Sequence, residues 1–120
     1  MGINSYQDLL VWQRAMDYVV ICYELTKDFP KEELYGLTSQ LRRCAVSVPS
    51  NIAEGHGRNT RGEYIQFLGI ARGSLKESET QVILASRLKY ISESQTSETL
   101  LKSKEVGSLL GKLINSLKKP

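Results

Sequence analysis

Histidine occurs once in this chain of 120 residues, cysteine twice and proline three times, and each scarcity excludes something. Cys22 and Cys44 match no metal-ligand spacing and are too few for a disulfide framework, which excludes a stapled secreted domain. Both fall on apolar helical stripes and are expected as buried thiols. With few prolines and no long Gly/Ser or Pro-rich stretch, nothing marks an interdomain linker. No apolar run approaches the roughly 18 residues that a bilayer span requires. The opening Met-Gly-Ile-Asn-Ser-Tyr-Gln-Asp has neither the basic start nor the apolar core of a signal peptide. A cytoplasmic protein with no membrane partner is expected. Gly2 meets the loose myristoylation pattern, which chance often produces and which carries little weight.

What is present is the balance of one globular domain, residues 1–120, with 41% hydrophobic and 24% charged residues. The net charge of +3 is unevenly spread. Residues 1–35 hold three basic and six acidic side chains, whereas residues 36–61 hold Arg42, Arg43, Arg58 and Arg61 against Glu54 alone. Residues 62–101 hold four basic and five acidic side chains, and residues 102–120 hold five lysines against Glu105. Such asymmetry points weakly to an anionic partner.

The apolar residues recur at helical spacing in four segments, predicted at about 8–28, 34–54, 61–90 and 97–117. The first carries two stripes. Leu9, Trp12, Met16, Val19, Val20 and Tyr23 form one, and Val11, Ala15, Tyr18, Cys22, Leu25 and Phe29 the other. Together they cover roughly 220° of the helix, more than the stripe of about 100° that packing on one side demands. Either the helix is deeply buried within one bundle, or it is shared with a neighbouring subunit; the second is favoured because so short a chain has little interior.

Phe29-Pro30 ends the first segment. Leu34, Leu37, Leu41, Cys44/Ala45, Val48 and Ile52 stripe the second, and Pro49 within it predicts a kink, since the stripe resumes in register. Gly55 and Gly57 are expected to end it with positive φ. Thr60-Arg-Gly-Glu63 reads as a reciprocal capping box opening the third segment. Tyr64, Phe67/Leu68, Ala71, Ser74/Leu75, Ser78, Val82, Ala85 and Leu88 form that segment's seam. Its small residues Gly69, Ala71, Gly73, Ser74 and Ser78 suggest that another backbone, of this subunit or a neighbour, passes close by. Val106, Leu109/Leu110, Leu113 and Leu117 stripe the fourth, whose terminal lysines suit the helix dipole. Four such segments with short connections and no alternating strand pattern give an all-α, up-down-up-down four-helix bundle.

Little in the chain suggests catalysis. His56 has no sequence-local partner and reads as an exposed loop histidine. No Glu-x-x-His pair, phosphate-binding glycine loop or nucleophile elbow occurs, so no catalytic residue, metal site or cofactor is assigned. Glu77 and Glu79 fall on different helix faces and read as solvated charges. The remaining lead is Arg42, Arg43, Arg58 and Arg61, because arginine grips phosphate bidentately and a helix start favours anions. Their bland alternative is ordinary surface pairing with Glu54, Glu63 and neighbours.

Val11-Trp12-Gln13, Phe29-Pro30, Tyr35-Gly36-Leu37, Gln40-Leu41-Arg42-Arg43, Ser47-Val48-Pro49 and Asn51-Ile52-Ala53-Glu54-Gly55 resemble the bacterial 23S rRNA-intervening-sequence proteins. Glu63, Phe67-Leu68, Gly73-Ser74-Leu75 and Glu77-Ser78-Glu79-Thr80-Gln81 continue the resemblance, and the Pro49–Gly55 run is its most specific part. The resemblance implies a homopentamer of four-helix bundles and, from the genomic settings of the family, binding of structured RNA or DNA. The family has no established biochemical activity. Five copies would carry a charge of +15 (5 × 3), positive but not extreme. The expectation is a non-catalytic oligomeric scaffold that meets nucleic acid, or a nucleic-acid enzyme, through its four arginines. Its rival is a purely structural or protein-interaction oligomer in which Arg42 and Arg43 make subunit salt bridges.

Overall fold

The computed structural model describes residues 5–120, so the Gly2 pattern lies outside the described residues. Four α-helices follow one another: α1 (Leu10–Thr26), α2 (Leu37–His56), α3 (Arg61–Arg87) and α4 (Glu93–Lys118). Single 3-10 turns at Tyr6–Asp8 and Lys31–Glu33 precede α1 and α2. No strand occurs among the described residues. Each helix packs on its two chain neighbours and α4 closes the ring on α1, with the diagonal pairs further apart. The result is a four-helix bundle 47 Å long and 25 × 22 Å across.

The two stripes of α1 have different fates. Val11, Ala15, Tyr18, Cys22, Leu25 and Phe29 are all buried in the common core. Of the other stripe only Leu9 is buried, while Met16, Val20 and Tyr23 stay 39%, 58% and 40% exposed. Met16 and Tyr23 border open depressions between α1 and α2, lined also by Val19, Val46, Pro49 and Ala53, whereas Val20 faces the groove between α1 and α4. Leu41, Ala45, Val48 and Ile52 of α2, Leu68, Ala71, Leu75, Val82 and Ala85 of α3, and Val106, Leu110 and Ile114 of α4 complete the core. Their near-total burial supplies most of the driving force for folding.

One polar bond crosses the diagonal. Tyr18 of α1 and Ser78 of α3 share a buried hydrogen bond of 2.7 Å, and Ser78 also donates to the Leu75 carbonyl. Ser103 of α4 lies in the same buried layer and donates to Glu79. Burial drives the Tyr18 phenol far above its ordinary range and pushes the Cys22 thiol up to about 12, so both remain neutral.

Several boundaries differ from the sequence expectation. Leu34 is 51% exposed and precedes α2, because Lys31–Glu33 form a separate 3-10 turn. α2 does continue through Pro49, as the resumed stripe predicts; the proline is buried and supplies no amide to the Ala45 carbonyl. Neither Gly55 nor Gly57 has positive φ: Gly55 is a buried helical residue and Gly57 a right-handed C-cap. Gly55 is small for another reason. A Cβ there would lie 2.8 Å from Phe67 Cβ and 3.2 Å from the Tyr64 carbonyl, so α2 and α3 meet backbone to backbone.

The left-handed residue is instead Lys89, at φ 65°. It ends α3 at Arg87, with the Tyr90 amide bonding the Ala85 carbonyl and the Lys89 amide that of Ser86. The reciprocal capping box belongs to α4. There Gln95 N–H bonds Ser92 Oγ and Ser92 N–H bonds Gln95 Oε1, which starts the helix at Glu93. At α3, Thr60 Oγ caps the Glu63 amide, but the Glu63 carboxylate accepts from the Thr60 hydroxyl and not from its backbone.

Candidate nucleic-acid interface

The alternating helix directions give the bundle two unlike ends. The one-turn end holds the α2–α3 turn together with the start of α1 and the finish of α4. The two-turn end holds the α1–α2 and α3–α4 connections. Arg42 lies about 21 Å along α2 from its last residue, His56, at 1.5 Å rise per residue, and Arg58 follows in the turn beyond. The four candidate arginines therefore form two groups and not one patch.

Arg42 lies towards the two-turn end and is held in place. Its Nε donates to Thr26 Oγ at 2.8 Å and its guanidinium stacks 4.7 Å from the Tyr23 ring centre. The Thr26 hydroxyl in turn donates to the Cys22 and Tyr23 carbonyls, which makes it a fixed acceptor. Arg43 is exposed, with Ser39 Oγ at 3.5 Å. Both arginines border a shallow depression with Tyr23, Leu34, Tyr35 and Val46.

Arg58 and Arg61 flank the α2–α3 turn as the sequence indicates. Arg58 pairs with Glu54 at 3.5 Å and covers the Phe67 ring at 4.7 Å. That contact fulfils part of the bland surface-pairing alternative. Arg61 instead reaches the far end of the chain, its Nη1 donating to the Lys119 carbonyl at 3.0 Å. The end of α4, with Lys118 and Lys119, is thereby brought to Arg61, a juxtaposition that no local sequence signal announces. His56 is half-buried rather than exposed, its ring edge-on to Tyr64 at 5.9 Å between centroids.

Residues 7–112 match the model of the family called 23S rRNA-intervening sequence protein. The chain belongs to that family. A solved protein of unknown function from the S23 ribosomal protein family of Bacteroides thetaiotaomicron has a similar structure, with a TM-score of 0.81 at 25% identity. The match covers 88% of this chain and 98% of that one. No curated protein matches the sequence. Membership of the 23S rRNA-intervening sequence family accounts for the four-helix architecture and leaves the activity open.

A polar strip on the α2–α3 seam went unnoticed in the sequence. Cys44 is half-buried, not fully buried, and donates to Glu77 at 3.8 Å while accepting from Gln81 Nε2 at 3.6 Å. Burial raises its pKa, so it stays a thiol. Ser47 and Ser74 share a 2.8 Å bond further along, joined by Asn51. Glu79 is likewise no simple solvated charge, since Ser103 and Lys76 both bond it. No group of three metal-binding side chains occurs among the described residues, and no helix is long and apolar enough to cross a membrane.

Proposed function

We propose that this chain forms a homopentameric, non-catalytic scaffold in the cytoplasm, which binds structured RNA or DNA, or an enzyme acting on it. The uneven charge of the bundle is the observation that carries this reading. When each helix is divided at its middle, the one-turn half (residues 5–17, 47–74 and 106–120) holds seven basic and four acidic side chains. The two-turn half holds nine of each, so the whole net charge of +3 resides in one half. Phosphate-rich partners are held chiefly by such fields. Arg42, Arg43, Arg58 and Arg61 are the starting candidates for contact, and repetition in a pentamer would turn weak contacts into avid ones.

Two features support oligomerisation. The outer stripe of α1 leaves Met16, Val20 and Tyr23 in water, which one subunit alone gives no reason for. Gly69 and Gly73 of α3 have open space where a Cβ would stand, which leaves room for a neighbouring subunit to approach closely. The reading also includes a bend of α2 at Pro49, where the missing amide would let the last turns lean onto α3.

One observation favours the rival, a protein-interaction oligomer that binds no nucleic acid: the anchoring of Arg42 by Thr26 and Tyr23 suits a fixed interface residue. The deciding experiment titrates labelled duplex DNA and a structured RNA with purified protein across a salt series, with particle mass measured alongside. Salt-sensitive binding by a particle of five subunits is expected. An intact oligomer that binds neither probe at low salt would establish the rival.

A further inference from the structure

We infer that the phosphate contact of the proposed scaffold lies at the one-turn end, on Arg58, Arg61, Lys118 and Lys119, and that it takes double-stranded nucleic acid by its backbone without reading sequence. This rests on the nucleic-acid reading above and narrows it to one end and one class of ligand.

The electrostatics of the two ends differ more than the counts of arginine suggest. The half that holds Arg42 and Arg43 also holds Glu24, Asp28, Glu32 and Glu33, and its nine basic side chains are equalled by nine acidic ones. A polyanion approaching there meets no net attraction. At the one-turn end Glu54 pairs with Arg58 and Glu63 accepts from the Thr60 hydroxyl, and after all four carboxylates of that half are counted three cations remain in surplus. Arg61, Lys118 and Lys119 form no ion pair among the described residues, and all three are exposed.

Geometry gathers these cations. The bond from Arg61 to the Lys119 carbonyl ties the first residue of α3 to the residue that caps α4. Two chain segments far apart in sequence thus present their charges side by side. The start of α3 adds the partial positive charge of its first-turn amides, and Gly62 leaves open space above them.

The side chains absent from this end identify the ligand class. Binding of unpaired strands relies on exposed aromatic rings on which bases stack. Here Tyr6, Trp12, His56, Tyr64 and Phe67 are all half-buried, and Phe67 is covered by Arg58. The most exposed ring of the molecule, Tyr35 at 93%, belongs to the opposite end. Cations without a stacking platform suit phosphates on a regular duplex and discriminate poorly among bases.

The test uses the full-length protein with a labelled duplex of arbitrary sequence, in RNA and DNA forms, and the matching unpaired strand. Three variants are compared: Arg61→Glu with Lys118→Glu and Lys119→Glu; the milder Lys118→Ala with Lys119→Ala, which touches no core residue; and Arg42→Glu with Arg43→Glu. Wild-type protein should prefer the duplex, and the triple reversal should weaken binding by at least about tenfold at unchanged particle mass. The alanine pair should lower the salt slope by about one per engaged lysine. Equal affinity of wild type and both one-turn variants, or loss confined to the Arg42/Arg43 variant, would overturn the placement while leaving the nucleic-acid reading intact. Preference for the unpaired strand would overturn the ligand class. Absence of wild-type binding would remove the broader reading and this inference with it.

Discussion

The two ends of this bundle are built from the same helices yet are held together differently. At the one-turn end, α2 and α3 meet by shape: Gly55 allows the Tyr64 backbone and Phe67 to approach, and the turn that follows is left to carry charge. At the two-turn end, separate chain segments are tied by polar side chains. Tyr90 donates to Glu33 at 2.8 Å, Glu33 accepts the Leu37 amide at 3.1 Å, and Arg42 joins α2 to Thr26 of α1. Close helix packing needs no ionised partners, and Arg61 is left outside any ion pair among the described residues, whereas the stitching of the other end engages Glu33 and Arg42.

The largest effect should come from closing the tight approach. In Gly55→Ala the added methyl meets Phe67 and the Tyr64 carbonyl, and overpacking of this kind costs about 1–3 kcal/mol. Alanine returns about 1 kcal/mol of helix propensity. Net destabilisation of up to about 2 kcal/mol in denaturant unfolding is therefore expected. A stabilised variant would show that the ends do not differ in this respect.

The caps offer a like-for-like comparison. Thr60→Ala at the one-turn end and Ser92→Ala at the other should each lose about 1 kcal/mol. Ser92 is the more telling, because its replacement also breaks a reciprocal box with Gln95. Unfolding midpoints of the two variants, measured together, would rank the ends.

A gain is expected at Lys89. Its left-handed backbone strains any residue with a Cβ, so Lys89→Gly should stabilise the protein by up to about 1 kcal/mol, less the greater freedom of glycine in the unfolded chain. Unchanged or lower thermal stability would show that the Lys89 side chain contributes more than its conformation costs.

The smallest effect is pH-dependent. The Tyr90 hydroxyl, and then the Leu37 amide, hold the Glu33 carboxyl below its ordinary value of 4.5. A depressed acid stabilises the fold above its unfolded pKa and loses that contribution as pH falls through its folded value. Tyr90→Phe should thus be slightly less stable than wild type at pH 7, and the difference should shrink in acid below the ordinary glutamate range. A difference that persists unchanged in acid would mean that the hydroxyl bonds the neutral carboxyl as well as the carboxylate, so that the charge of Glu33 contributes nothing.

The fold was largely legible because periodicity reports burial. The inner stripe of α1, the stripe of α2 from Leu37 and the α3 seam as far as Ala85 all reach the core. Legibility fails where burial is not apolar. The first turns of α4 have no hydrophobic residue until Leu100, since Thr99 is buried by bonding its own backbone at Gln95. The end of α3 was hidden because Leu88 and Tyr90 continue an apolar pattern across a residue that has already left the helix. The candidate site was half legible. Arg42 to Arg61 look like one cluster in a string of letters, but helical rise spreads them along the bundle, and the lysines that join Arg61 lie at the other end of the chain.

The bond between Tyr18 and Ser78 sets the azimuth of α1. At about 100° of rotation per residue, Met16 and Val20 both lie some 160–200° around the helix from Tyr18. A ring fixed across the diagonal therefore also fixes the bearing of the opposite face, as a keyway fixes the angle of a shaft. A substitution at Tyr18 or Ser78 would register in the solvent-facing grooves as well as in the core, because α1 would be free to turn and Met16 and Tyr23 would lose their alignment with Val46 of α2.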